Sequence, residues 1–205
     1  QSIAKNRFKW LASSLFAAEL LQDLQEDSAR LIAVLKNCGP WVPEKDAKLD
    51  ALLTLIKKTH KNEKVLIFSQ FSDTVQYLEE QLLAAGIEKM VGVTGDTEDP
   101  TAAAWRFSPV SNEKRESVTP ENELQVLIAT DVLSEGQNLQ DASIVVNYDL
   151  PWAIIRLIQR AGRVDRIGQQ SPEIKCYSFL PADGVERLIK LHARVVQRLE
   201  ENQEV

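Results

Sequence analysis

Arg156, Arg160, Arg163 and Arg166 are spaced by four, three and three residues. On a helix the first three share one face. Between Pro151 and Lys175, five basic residues stand against Asp165 and Glu173, a local net charge of +3 (5 − 2) in a chain whose net charge is −6. Arginines crowded on one helix face repel each other by roughly a few tenths of a kcal/mol per pair. A bound anion removes that cost, and phosphate fits best, because the guanidinium fork engages two oxygens at once. Spacing alone also fits a solvated basic face paired with Asp149 and Asp165.

The other reactive side chains form no constellation. Cys38 and Cys176 are isolated and far apart, and are expected to be buried structural thiols in a reducing compartment. His60 and His192 stand alone, which gives no basis for a zinc or catalytic-histidine site. Hydrophobic residues make up 44% and charged residues 26%, a globular balance that argues against wholesale disorder. The acidic net charge argues against nucleic-acid binding by bulk charge, so any such contact must be local. No apolar run is long enough to span a membrane. The chain begins at Gln1 without a signal-peptide pattern and is expected to be part of a longer protein.

The arginines need elements to hold them. Leu11, Leu15, Ala18, Leu21, Leu24, Leu31 and Leu35 draw one apolar helical stripe, stopped by Gly39-Pro40. A second helix is predicted from about Glu44 to His60. Short apolar, β-branched runs then alternate with helical stretches. The strands are Lys64–Ser69, Lys89–Val93, Leu124–Ala129, Ser143–Asn147 and Ile174–Phe179. The helices are Asp73–Ala85, capped by Ser72 and ended near Gly86, Asp99–Phe107, a helix started by Pro151 and running to about Arg163, and Val185–Glu201. Ser108–Glu123 reads as a surface loop. Alternation of this kind predicts an α/β fold: a mostly parallel sheet with helices on both faces. Ser69-Gln70, Thr94-Gly95, Thr130-Asp131 and Asp149-Leu150 each follow a strand, so their loops should share the sheet edge where α/β proteins bind ligands.

Gln159-Arg-Ala-Gly-Arg-Val-Asp-Arg-Ile-Gly-Gln169 resembles motif VI of superfamily-2 helicases, and its Arg166-Ile-Gly-Gln169 ending resembles the Swi2/Snf2 group. Leu66-Ile-Phe-Ser-Gln-Phe71 resembles motif IV, and Ala129-Thr-Asp-Val-Leu-Ser-Glu-Gly-Gln-Asn-Leu-Gln140 resembles motif V, with Gln137 where many relatives carry Leu. The motifs occur in the family's order. The Gly162-Arg163-Val-Asp-Arg166 form looks like the bacterial branch that includes RNA-polymerase-associated translocases. Thr101–Arg115 diverges from the family, and no contact is carried over there.

The resemblance implies a RecA-like, three-layer α/β/α lobe over residues 61–205, preceded by a helical bridge or linker over 1–60. It implies ATP with Mg2+ bound mainly by a first lobe that this sequence lacks, since no Gly-x-x-x-x-Gly-Lys-Ser/Thr occurs. The chain alone is then expected not to hydrolyse ATP. Arg163 and Arg166 take the arginine-finger positions. Gly136, Asn138 and Gln159 line the nucleotide side. Thr130, Gln70, Thr94 and Gly95 face nucleic acid, and Arg160 is structural with Asp131 as its partner. Implied partners are double-stranded DNA, the first lobe, and RNA polymerase or a defence or repair complex. The implied location is the bacterial cytoplasm, at the nucleoid. Two other readings stay open at this point: a lobe of a strand-separating DNA or RNA helicase, and a non-enzymatic RecA-like module that docks a protein.

Overall fold

The computed structural model describes residues 12, 16–134, 137–151, 153 and 155–180. Contacts divide the chain into two compact units, Gln1–Pro43 and Glu44–Val205. Helix α1 (Ala18–Cys38) occupies the first unit. It ends at Gly39, whose φ of 69° suits glycine and whose N–H bonds Leu35 O at 3.2 Å. Leu11 and Leu15 of the predicted stripe lie outside the described residues.

In the second unit, α2 (Ala47–Thr54) starts at Asp46, whose carboxylate accepts from the N–H groups of Lys48 and Leu49. It widens into a π-helical turn, Leu55–Thr59, closed by His60 N–H on Leu55 O at 2.8 Å. Then follow β1 (Val65–Phe68), α3 (Ser72–Ala84), β2 (Met90–Val93), α4 (Pro100–Phe107), β3 (Val126–Ala129), β4 (Ile144–Asn147), α5 (Ile155–Ala161) and β5 (Lys175–Ser178). The sheet order is β2-β3-β1-β4-β5, and every pairing is parallel.

The central strands β1, β3 and β4 are buried at every position, as a sheet covered on both faces requires. Alternate residues feed two cores. Val65, Ile67, Val126, Ile128, Ile144 and Val146 pack with α2 and α3. Leu66, Phe68, Leu127, Ala129 and Val145 pack with α4, Leu133, Leu139 and Val164. Because α2 contributes buried Leu49, Leu52 and Ile56, it goes with the sheet.

Several local expectations change. Ser72 is the first helical residue of α3 and makes no cap; Phe71 is the N-cap. The reason is that Ser69 already turns the chain there, its hydroxyl accepting from Phe71 N–H at 3.2 Å. Helix α5 starts at Ile155, beyond Pro151, and stops at Ala161. Cys38 and Cys176 are exposed, not buried. Cys38 lies in the last turn of α1 and Cys176 on the edge strand β5. His60 is buried, its ring nitrogens bonded to Glu63 (2.7 Å) and Tyr177 (2.9 Å). The segment 108–123 has no helix or strand, but it is held by buried Ser108 and Val118. The predicted helix Val185–Glu201 lies outside the described residues. Among the described residues, no helix is long and apolar enough to cross a membrane.

Candidate functional site

Parallel register aligns the strand ends. Phe68 sits opposite Ala129 and Asn147, Val93 opposite Ala129, and Asn147 opposite Ser178. The residues that follow therefore form one ledge at the C-terminal edge of the sheet. Connections leave β1 and β4 toward opposite ends of the sheet, which opens a crevice between these neighbours. Asp149 bridges it: its carboxylate accepts from Ser69 Oγ and from Gln70 N–H at 3.0 and 3.1 Å. Gln70 Nε2 also donates to Leu150 O at 3.2 Å, so Gln70 is tied to the β4 loop through backbone and side chain.

Along the ledge, backbone donors are mostly committed. Thr94 N–H donates to Thr97 Oγ1 at 2.9 Å, and Thr94 Oγ1 accepts from Asp96 N–H. Thr130 N–H donates to Val93 O at 2.9 Å, leaving the hydroxyl as its other donor. Gly95 is different. Its φ is not in the left-handed region and a Cβ there meets nothing within 4 Å, so neither turn nor packing requires a glycine.

The electrostatics of the neighbouring core are set by burial. Lys48 donates to Tyr148 O at 2.6 Å with its ammonium over the Tyr148 ring; burial pulls its pKa down, against Asp149 and Asp46. Burial, and then Asp46, pushes the Tyr148 phenol well up, so it stays a neutral donor, toward Asp46 at 3.4 Å.

The arginine segment is built around Asp131. Its two carboxylate oxygens receive Arg156 Nη1 and Arg160 Nε, each at 2.8 Å. The repulsion expected from spacing is thus offset by Asp131, not by Asp149 or Asp165. Arg160 is fully buried, with Nη1 donating to Asn147 Oδ1 at 3.0 Å and its guanidinium 5.2 Å from the Phe68 ring centroid. Arg160 Nη2 finds no acceptor among the described residues. Arg163 and Arg166 do not lie on the helix. Gly162 follows the last helical residue, and Arg163 begins a run of turns. Val164 plugs the core between them with no exposed surface, which leaves Arg163 half-buried and Arg166 exposed.

This run lies beside the segment after β3. Leu139 N–H bonds Arg163 O at 3.3 Å, Arg166 Nη1 bonds Asn138 Oδ1 at 2.9 Å, and Gln140 Nε2 bonds Ile167 O at 3.0 Å. Gln169 Nε2 closes the run on Ala142 O and Val164 O. Since Leu139 and Val164 share the second core, Arg163, Arg166 and Asn138 sit over that sheet face, not on the ledge. Gln159 is exposed on α5. Gly136 lies outside the described residues.

Sequence reasoning missed Asp149 as the ledge clasp and Asn147 as the buried acceptor for Arg160. Both stand at the end of an apolar strand, and a polar residue there was the available signal. Among the described residues, no three His, Cys, Asp or Glu side chains cluster to ligate a metal.

Fold and site together define a parallel α/β lobe with a strand-end ledge and an arginine run over one face. The chain belongs to the helicase conserved C-terminal domain family, whose model matches residues 47–168. An uncharacterized ATP-dependent helicase, YqhH of Bacillus subtilis (strain 168), is 33% identical over 147 residues, which are 70% of this chain and 23% of that protein. Two solved structures share the fold at 24% identity. The C-terminal part of the Fun30 ATPase domain gives a TM-score of 0.59 over 82% of this chain and 53% of its own. A DEAD box protein from the hyperthermophile Methanococcus jannaschii gives 0.53 over 74% and 37%. The chain thus spans under a quarter of the length of this curated relative.

Proposed function

We propose that this chain is the second motor lobe of an ATP-dependent translocase on double-stranded DNA, of the Swi2/Snf2 group. Arg163 and Arg166 act as arginine fingers on an ATP whose phosphates and Mg2+ are held by a first lobe. Charge shifts among the phosphoryl oxygens during transfer, and permanent guanidinium charge stabilises it; such a finger is worth about 10³ to 10⁵ in rate. Gly136, Asn138 and Gln159 serve this nucleotide side. Thr130, Gln70, Thr94 and Gly95 serve the DNA backbone, which they position without reading sequence. Thr94 contributes through its hydroxyl, because its N–H is engaged within the lobe, and Gln70 through the Nε2 hydrogen that Leu150 O does not take.

One observation carries the reading. Asp131, adjacent to Thr130 on the ledge, holds the helix that leads into Arg163 and Arg166 through buried Arg160. This contact supports the reading, because a motor needs a shift of the ledge to be passed to the arginine run. The test uses a protein in which this chain is joined to a phosphate-loop lobe. It should displace a triplex-forming strand from duplex DNA in an ATP-dependent way without separating the duplex. Thr130→Ala should slow displacement several-fold while retaining ATP binding. Duplex unwinding without triplex displacement would replace this reading with a strand-separating helicase.

A further inference from the structure

We infer that the loop over residues 108–112, in the divergent part of the chain, sets Arg166 through Asn138, making Asn112 and Asn138 positioning residues for the arginine side. The catalytic half of this inference rests on the role proposed above for Arg166; the contact itself does not.

Arg166 is exposed, and a long exposed arginine samples many rotamers. What restrains it is Asn138 Oδ1, at 2.9 Å from Nη1. Asn138 is itself fixed from the opposite side. Asn112 Nδ2 donates to Asn138 O at 2.7 Å and to Ser108 O at 2.7 Å, while Asn138 Nδ2 faces Ser111 O at 3.4 Å.

The loop that supplies these contacts is anchored to the core. Ser108 is fully buried, and its hydroxyl accepts from Asp141 N–H at 2.9 Å. The Asp141 carboxylate accepts from Val110 and Ser111 N–H groups, each at 2.8 Å. Lys64 stands 3.8 Å from Asp141 and donates to Phe107 O at 2.6 Å. A rigid path thus runs from the start of β1 through the loop to Asn138 and Arg166.

The residue type at 138 fits the task. A neutral amide oxygen orients a guanidinium without cancelling its charge, so Arg166 remains available to an anion. A carboxylate at the same place would hold Arg166 more firmly and compete with phosphate for it. Positioning therefore predicts opposite effects of two substitutions on Arg166 mobility and the same effect on catalysis.

The experiment is the phenylglyoxal modification rate of Arg166 in this chain, followed by mass spectrometry, with exposed Arg30 as the internal reference. Asn138→Ala and the donor-deficient Asn112→Asp should each raise the Arg166 rate by about three- to tenfold. Asn138→Asp should lower it, and Arg30 should not change. Equal Arg166 reactivity in wild type and all three variants overturns the inference. In the two-lobe protein, Asn138→Ala and Asn138→Asp should both lower kcat about tenfold. Full turnover by an Arg166→Ala variant would instead remove Arg166 from hydrolysis, overturning the functional reading while the modification rates still judge the contact.

Discussion

At the scale of the residue, the chain puts one arginine inside so that others can work outside. Arg160 is fully buried, yet serves Asp131 and Asn147 from one planar fork. Replacing it with Ala should cost about 3–5 kcal/mol, because Asp131 loses a buried partner and the Asn147 oxygen is left unpaired. Arg160→Lys should not restore this, since a point-like ammonium cannot span both acceptors as the fork does. Chemical denaturation midpoints check both; a loss under about 1 kcal/mol for Arg160→Ala would contradict the account. Gly95 gives the complementary case. Its backbone and its open surroundings tolerate a methyl group, so Gly95→Ala should leave stability within about 0.5 kcal/mol of wild type. In the two-lobe protein the same change should reduce stimulation of the ATPase by DNA. Unchanged stimulation would return Gly95 to the status of an ordinary turn.

At the scale of the element, the segment 108–123 shows how a loop without helix or strand is made rigid. Lys64, just before β1, donates to Glu123, which also receives Arg115. Burial raises the Glu123 pKa, but the hydrogen bonds from Lys64 and Arg115 outweigh it, so the group sits below its ordinary 4.5. A depressed carboxylate pKa means the folded state favours the charged form. The resulting stability is fully present above 4.5 and is lost as pH falls through the folded value beneath it. Glu123→Gln should therefore cost about 1–3 kcal/mol at neutral pH and flatten the fall in stability below pH 4.5. Denaturation at several pH values tests this, and parallel pH curves for the two proteins would contradict it. The central strands were legible because a sheet covered on both faces demands continuous apolar runs, and these ran Val65–Phe68, Val126–Ala129 and, before Asn147, Ile144–Val146. The order of the strands was not, because periodicity carries no information about which neighbours pair. Arginine spacing was legible, but it misplaced Arg163 on the helix, since Gly162 ends what the three-and-four pattern continues. The partner of Arg160 was legible as Asp131 only through the motif resemblance; the reading as a solvated basic face offered Asp149 and Asp165, and the fold uses the Asp149 carboxylate to clasp β1 to β4.

At the scale of the whole molecule, the family fixes the lobe, and the two surfaces suggest its work. The ledge bearing Gln70, Thr94, Gly95 and Thr130 and the run bearing Arg163 and Arg166 are separate places on one sheet, joined where Asp131 meets Arg160. The most direct measurement is steady-state ATP hydrolysis in the presence of duplex DNA by the two-lobe protein and its Arg163→Ala variant, with nucleotide binding measured alongside. The account predicts that the variant binds ATP with affinity within a few-fold of the parent and loses turnover by about 10³ or more. Turnover equal to the parent's would contradict it.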